Sequence, residues 1–120
     1  PTVEAELRPG LSPVDVPEAT FPAGTLSGAP KPRALELIDQ LEPAARGVYG
    51  GVVGYFSFSG DADLAIAIRT ATIVGDAASV QAGAGSVEQS VAATEQQEAV
   101  SKAAAPLRAI AIANSLRRIE

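Results

Sequence analysis

The stretch from residue 52 to residue 82 has the clearest periodicity in the chain, and the pattern is that of β-strands. Residues 52–58 are rich in branched and aromatic side chains, residues 59–63 have the composition of a loop, and residues 64–74 alternate in character with period two. Gly75-Asp76 is a two-residue hairpin signal, and residues 77–82 favour a further strand. We therefore predict an antiparallel β-meander over this part of the chain.

The sequence before this stretch predicts a short strand, a short helix and a loop. Residues 2–8 alternate in character and end at Pro9-Gly10, as a fourth strand entering a turn would. Ser12 is a suitable N-cap for a short helix that ends before Pro22. Residues 22–31 contain two Gly and two Pro, so a loop is expected there.

Two longer helices are predicted, one on each side of the β segment. Pro32 opens the first and Glu42-Pro43 stops it, and Ser90 is the expected N-cap of the second, which runs to about Arg117. The residues expected to face a core are Leu35, Ile38 and Leu41 in the first helix and Val100, Ala103, Leu107 and Ile110 in the second. Together the elements predict an α+β fold with residues 1–120 as a single domain, in which helices cover one face of three to four antiparallel strands.

Composition argues against several classes of partner. The net charge is −5 and the nine Lys and Arg residues form no cluster beyond Arg117-Arg118, so nucleic acid is not an expected partner. No apolar run approaches the roughly 20 residues that span a bilayer, so we expect no membrane partner and a cytoplasmic location. Because large aromatic residues are few, we expect one thin core built from small and aliphatic side chains.

The residues that the chain lacks restrict its chemistry. Cys, His and Met are all absent, so any metal would be a hard, oxygen-binding cation such as Mg²⁺. Glu95, Glu98 and Lys102 fall at i, i+3 and i+7 of the last predicted helix and share a face. This pattern suits either a solvated surface with a Glu98–Lys102 ion pair or half of an Mg²⁺ site, because Mg²⁺ commonly takes only one or two protein carboxylates.

Three further positions are candidates for binding an anionic ligand, each with a structural alternative. Arg69 follows two alanines on one predicted strand face, which leaves room for a ligand beside it, or it is a surface charge that reaches water. Residues 83–85 are either a strand-end turn or a source of backbone N–H groups for a carboxylate. Tyr49 is either an aromatic residue at a sheet edge or a phenol that contacts the ligand.

Five stretches occur in the same order as in a known family. They are Pro22-Ala-Gly-Thr-Leu-Ser-Gly-Ala-Pro-Lys31, Arg46-Gly-Val-Tyr-Gly-Gly51, Ala65-Ile-Ala-Ile-Arg-Thr70, Gln81-Ala-Gly-Ala-Gly85 and the helix with Glu95, Glu98 and Lys102. Through them the chain resembles the chorismate-utilising enzymes, most closely anthranilate synthase component I, over essentially its whole length. The resemblance implies a two-sheet chorismate-binding sandwich of which this chain is roughly the C-terminal part.

The resemblance also implies an activity and a metal. Chorismate and ammonia would be converted to anthranilate and pyruvate, with the ammonia delivered from glutamine by a partner amidotransferase subunit. Glu98 would bind Mg²⁺ directly, and Glu95 would assist through water. Lys102 would add positive charge near the substrate, and Lys102 and Thr25 are the candidates for a catalytic role.

Binding of the substrate is assigned by the same resemblance. Tyr49 and Arg69 would hold the enolpyruvyl carboxylate of chorismate. The backbone amides of Gly83, Ala84 and Gly85 would hold its ring carboxylate. These residues, together with Lys102, therefore form the predicted substrate-binding set.

The chain also departs from the family. Family members carry a His-Leu-Val-Ser segment directly upstream of the stretch matching Thr2-Val3, and the 120 residues contain no histidine. Differences within the match cluster at residues 86–92, with a further one at Ser101. We therefore expect the isolated chain to be inactive, and to form an oligomer or bind a complementing N-terminal half. The alternatives are a non-catalytic engineered or truncated scaffold of this family, and the equivalent part of aminodeoxychorismate synthase.

Overall fold

The β pattern of the sequence forms two hairpins. The structure, a computed structural model, describes residues 2–116. Strand β1 (Val52–Phe56) pairs antiparallel with β2 (Ala62–Ile66), and β3 (Ala71–Val74) pairs antiparallel with β4 (Ala77–Val80). Within the described residues these are two separate sheets of two strands, so the four antiparallel strands do not form one continuous meander.

Helices flank the hairpins on both sides in sequence, which confirms the predicted α+β class. Over residues 2–116 the helices are α1 (Asp15–Thr20), α2 (Gly24–Ser27), α3 (Lys31–Leu41) and α4 (Ala92–Ser115). Both long helices were predicted, although the position of Arg117 lies outside the described residues. In the part of the chain that the structure describes, no helix combines the length and the apolar character needed to cross a membrane.

Two predictions for the N-terminal third are wrong. Residues 2–8 form no strand, because they pair with neither described sheet and so lack the hydrogen bonds between strands that would fix an extended backbone. Residues 22–31 are not wholly a loop, since they contain the single turn of α2. That turn forms because the Ser27 and Gly28 N–H groups donate to the carbonyls of residues 23 and 24, at 3.1 and 2.8 Å. The helix then ends at Gly28, whose φ of 87° favours glycine.

Neither predicted N-cap acts as one, because each serine is engaged elsewhere. The backbone N–H and hydroxyl of Ser12 donate to the Asp15 carboxylate, at 2.5 and 2.8 Å, and α1 begins only at Asp15. These hydrogen bonds hold the pKa of Asp15 below its ordinary value. The hydroxyl of Ser90 accepts a hydrogen bond from the Val87 N–H at 3.0 Å, and α4 begins at Ala92 with no side-chain cap.

The strand predicted over residues 64–74 is interrupted after β2. Ala67 still pairs with the turn before β1, since its N–H donates to the Gly51 carbonyl at 2.8 Å. Arg69 then has a φ of 54°, a left-handed conformation that a regular strand does not contain. The predicted alternation therefore does not extend to Arg69, and the expectation that it shares a strand face with the alanines is wrong.

Many large apolar side chains of residues 2–116 are exposed. Among the described residues Ala67, 2% exposed, is the one buried apolar residue, and Val100 and Leu107 of α4 are each 51% exposed. The radius of gyration is 17.6 Å, against about 14 Å for a globular chain of this length. The predicted core-facing sides of α3 and α4 are thus not buried, because α3 packs on α2 and α4 touches the sheets mainly at β4.

Candidate functional site

Tyr49 lies beside a cavity of about 430 Å³ between the turn before β1 and the β3–β4 hairpin. The polar residues that line this cavity are Arg46, Tyr49, Thr70, Thr72, Ser79 and Gln81. The hydroxyl and amide groups were not found from the sequence. The usable signal was the alternation around β3, because residues 70 and 72 occupy the same side of an extended chain.

The position of Tyr49 is set by a glycine turn joined to the end of β2. Gly50 is buried with a φ of 81°, which a residue with a Cβ rarely adopts. Its N–H donates to the Ala67 carbonyl at 3.0 Å, and the Tyr49 N–H donates to the Arg46 carbonyl at 3.1 Å. The backbone of Tyr49 is therefore held on both sides by hydrogen bonds.

Gly83 approaches the hydroxyl group of Tyr49. A Cβ at Gly83 would lie 3.3 Å from the Tyr49 Oη, while a Cβ at Gly85 would meet no atom within 4 Å. Neither glycine has a positive φ, and residues 81–87 form neither a turn nor regular structure, so the strand-end turn, one of the two alternatives for residues 83–85, is not formed. The absence of a side chain at Gly83 instead permits a close approach.

Lys102 connects helix α4 to this glycine. Its Nζ donates to the Gly83 carbonyl at 3.1 Å and lies 2.6 Å from Oε1 of Glu98, with the side chains of Lys102 and Glu98 30% and 52% exposed. The ion pair that the spacing allowed is therefore formed. Glu95 lies one turn earlier on α4 and is half-buried. Over residues 2–116 no group of three or more acidic side chains forms a metal cluster.

The structure thus gathers only part of the predicted site. The residues that it brings together are Tyr49, Gly83, Glu98 and Lys102. Ala84 is half-buried and Gly85 is exposed in the same segment. Arg69 and Thr25 are both exposed, and neither lines the cavity beside Tyr49.

Arg46 is a residue of this region to which the sequence reasoning assigned no role. Its Nε lies 2.9 and 3.1 Å from the two carboxylate oxygens of Glu42, and its Nη2 lies 2.5 Å from Oε1. Its Nη1 donates to the Leu26 carbonyl at 2.7 Å, and its guanidinium carbon lies 5.6 Å from the centre of the Tyr49 ring. Because α3 ends at Leu41 and residues 42–46 are not helical, helical spacing could not have predicted the contact between Glu42 and Arg46.

The Glu42–Arg46 pair also shifts the acid–base properties of both groups. Hydrogen bonds donated by Arg46 hold the pKa of the Glu42 carboxyl below its ordinary value. The same hydrogen bonds raise the pKa of the Arg46 guanidinium. Both side chains therefore stay charged at neutral pH.

Chemically, the gathered groups suit an anion more than a neutral ligand. The Lys102 ammonium, partly offset by Glu98, and the Tyr49 hydroxyl can each donate a hydrogen bond to a carboxylate. Backbone N–H groups of the irregular segment at Gly83 add further donors. Nothing in this set resembles an activated nucleophile, so its chemical contribution is binding and electrostatic stabilisation.

Comparison with known proteins identifies relatives over nearly the whole chain. The model of the chorismate binding enzyme family matches residues 1–108. Anthranilate synthase component 1 of Arthrobacter globiformis is 60% identical over 118 residues, which are 98% of this chain and 22% of that protein. The Pseudomonas putida protein of the same name is 56% identical over 92% of this chain, and the Mycobacterium bovis protein is 55% identical over 96% of this chain. In both cases the matched part is 22% of the relative's own length. The chain therefore spans about a fifth of the length of these relatives.

Proposed function

Because this chain belongs to the family of chorismate-binding enzymes, we propose that it forms one side of the chorismate site of an anthranilate synthase component 1. The observation that carries the proposal is the convergence of Tyr49, Gly83 and Lys102, which come from three separate stretches of the sequence. The complete enzyme would convert chorismate and ammonia to anthranilate and pyruvate. A glutamine amidotransferase subunit would supply the ammonia.

In this proposal the two carboxylates of chorismate are held by different groups. The Tyr49 hydroxyl and Arg69 bind the enolpyruvyl carboxylate, and backbone amides from Gly83 to Gly85 bind the ring carboxylate. The approach of Gly83 to the Tyr49 Oη supports placing both carboxylates in one site. Arg69 takes up its role only when its exposed guanidinium turns toward Tyr49, so we expect it to move when the ligand binds.

The proposal assigns Mg²⁺ to helix α4. Glu98 would bind the ion directly and Glu95 through water, which fits the one or two protein carboxylates that Mg²⁺ commonly uses. The 52% exposure of the Glu98 side chain leaves room for coordinated water. When bound, the ion would act as a Lewis acid that polarises a substrate oxygen. Because Lys102 contacts the same carboxylate, removing its charge should change Mg²⁺ affinity.

Lys102 is the residue of this chain best suited to act on the reacting ring. Its ammonium is half-buried beside Gly83, where positive charge would stabilise negative charge that develops as a ring hydroxyl leaves. Thr25 is the second candidate, as a hydroxyl on α2 that could donate a hydrogen bond to the substrate. The 120 residues contain no histidine for general acid–base catalysis. We therefore expect binding without turnover by the chain alone.

We assign the exposed apolar faces a binding role: in an enzyme as long as the relatives, they would be covered by a complementing segment. Val53 and Tyr55 of β1 are 59% and 60% exposed, and Ile73 and Val74 of β3 are 70% and 73% exposed. Such faces need cover, and the relatives extend well beyond the 22% that this chain matches. Sedimentation tests this assignment: association that disappears when the rest of a relative is added supports it, and a compact monomer contradicts it.

Calorimetry of chorismate binding in the presence of Mg²⁺ tests the proposed site. Binding by the unaltered chain that is lost in Arg69→Ala and in Glu98→Ala would support it. No binding at any Mg²⁺ concentration would favour the alternative of a non-catalytic scaffold. Anthranilate fluorescence with chorismate, Mg²⁺ and ammonia should stay at background, and turnover by the chain alone would overturn the expected inactivity.

A further inference from the structure

One side chain, that of Arg46, joins three separate parts of the fold. Its guanidinium donates hydrogen bonds to both oxygens of the Glu42 carboxylate and to the Leu26 carbonyl, at distances from 2.5 to 3.1 Å. The same group stands 5.6 Å from the centre of the Tyr49 ring. Its side chain is only 25% exposed. So many contacts on one half-buried cation restrict its position strongly.

We propose that Arg46 is a positioning residue that holds the Tyr49 ring in place at the edge of the larger cavity, acting on the site assigned under the proposed function. The Glu42 carboxylate and the Leu26 carbonyl fix the guanidinium, and the guanidinium in turn contacts the ring. A cation within about 6 Å of an aromatic centroid is attracted to the ring face. Arg46 therefore limits where the phenol hydroxyl can point.

The location of Arg46 between two cavities supports this role. It lines the cavity of about 430 Å³ beside Tyr49 and also a second cavity, of about 260 Å³, against the end of α3. Glu42 lines the smaller cavity, and Arg46 borders both. Removing the arginine would leave the ring with an empty volume behind it, and the loss of packing atoms would allow the ring to move.

Arg46 also ties helix α2 to the turn that follows Tyr49. Its Nη1 donates to the Leu26 carbonyl at 2.7 Å, and the Leu26 Cδ1 lies 3.4 Å from where a Cβ of Gly50 would be. The backbone of α2, its leucine side chain and the glycine turn are therefore one packed unit.

Lysine cannot replace arginine in this arrangement. The guanidinium is planar and presents donors in a fixed fork, so that it can bind a carboxylate, a carbonyl and a ring face together. An ammonium keeps the charge but cannot satisfy both oxygen partners while lying over the ring. Arg46→Lys should therefore behave more like Arg46→Gln than like the unaltered chain.

Tyrosine spectroscopy tests the positioning without any ligand. The chain has two tyrosines and no tryptophan, so a Tyr55→Phe background leaves Tyr49 as the one source of the tyrosine signal in near-ultraviolet circular dichroism. We expect Arg46→Gln and Arg46→Lys each to lose most of this signal. Arg33→Gln is the matched control. Arg33 forms an exposed ion pair with Glu36, in which Nη1 lies 2.7 Å from Oε2, and this pair does not involve the Tyr49 ring.

Chorismate affinity, measured by calorimetry in the same variants, tests the link to the proposed function. We expect both Arg46 variants to bind about threefold to tenfold more weakly, with Arg33→Gln unchanged. If the unaltered chain binds no chorismate, the proposed function fails, while the spectroscopic comparison still decides whether Arg46 positions the ring. An unchanged Tyr49 signal in Arg46→Gln would overturn the proposal.

A folding defect does not leave the question open. If Arg46→Gln loses its far-ultraviolet signal, Glu42→Gln replaces it, because this change keeps the arginine and removes the charge that anchors it. A Tyr49 signal that is reduced in Glu42→Gln supports the positioning role. A signal equal to that of the unaltered chain overturns it.

Discussion

Replacing Gly83 by alanine tests the closest approach in the candidate site. The new Cβ would lie 3.3 Å from the Tyr49 Oη, whereas the same change at Gly85 places a Cβ with no atom within 4 Å. Ordinary van der Waals contacts of a Cβ lie at 3.4–4 Å, so a contact of 3.3 Å is tight. The phenol must therefore shift by a few tenths of an ångström in Gly83→Ala, and Gly85→Ala is the matched control.

The expected loss of chorismate affinity in Gly83→Ala depends on how far the shift weakens the hydrogen bond that the Tyr49 hydroxyl donates to the ligand. A complete loss of its hydrogen bond to a carboxylate would cost about 1.5–3 kcal/mol. A displaced but still formed hydrogen bond should lose part of this, so we expect chorismate affinity to fall about threefold to tenfold in Gly83→Ala. Gly85→Ala should bind as the unaltered chain does.

Stability should move differently from affinity. Neither glycine has a positive φ, so alanine at Gly85 should raise the free energy of unfolding by about 0.4–1 kcal/mol through the unfolded chain. The contact with Tyr49 should cancel much of this gain in Gly83→Ala. Calorimetry with chorismate and urea unfolding measure the two effects separately. Equal chorismate affinities in the two variants would refute the proposed contact between Gly83 and the site.

Three further predictions concern other contacts of the fold. Lys102→Met removes the ion pair with Glu98 and the hydrogen bond to the glycine carbonyl, and should lower the free energy of unfolding in urea by about 1–2 kcal/mol, with Lys102→Arg closer to the unaltered chain. Gly54→Ala places a Cβ directly against the Asp63 carbonyl oxygen and 2.9 Å from the Leu64 Cα, both backbone atoms of β2, so amide exchange of β1 and β2 should accelerate sharply, and retained protection would contradict the register. Because the pKa of Glu42 is lowered by Arg46, the stabilisation by this pair should be complete above about pH 4.3, the ordinary glutamate value, and lost as the pH falls through the lowered value. Urea unfolding of Glu42→Gln across this range should lack that acid-dependent component.

The elements that were predicted correctly are those with local signals. The hairpin at Gly75-Asp76 needs only a turn that matches strand twist, and α3 ends where Pro43 disfavours a helical conformation at Glu42. The strand expected at residues 2–8 failed because a strand needs a neighbour, which alternation alone cannot supply. The apolar faces of α3 and α4 were predicted to be buried and are not, for a similar reason: burial also requires a neighbouring element.

The candidate site likewise contains contacts that local spacing predicts and contacts that depend on segments far apart in the chain. The Glu98–Lys102 contact lies within one helix, so spacing was sufficient to predict it. The approach of Gly83 to Tyr49 joins segments far apart in the chain and depends on the path of an irregular segment. Arg69 was misplaced because its left-handed conformation breaks the period-two pattern on which its predicted position depended.

A chimeric enzyme tests the central claim most directly. The segment of the Arthrobacter globiformis relative that this chain matches at 60% identity would be replaced by the present 120 residues, and anthranilate formation from chorismate, Mg²⁺ and ammonia would be followed by fluorescence. We expect the chimera to form anthranilate and its Lys102→Met variant to lose most of that activity. A folded chimera that forms no anthranilate, or one whose activity is unaffected by Lys102→Met, would contradict the account.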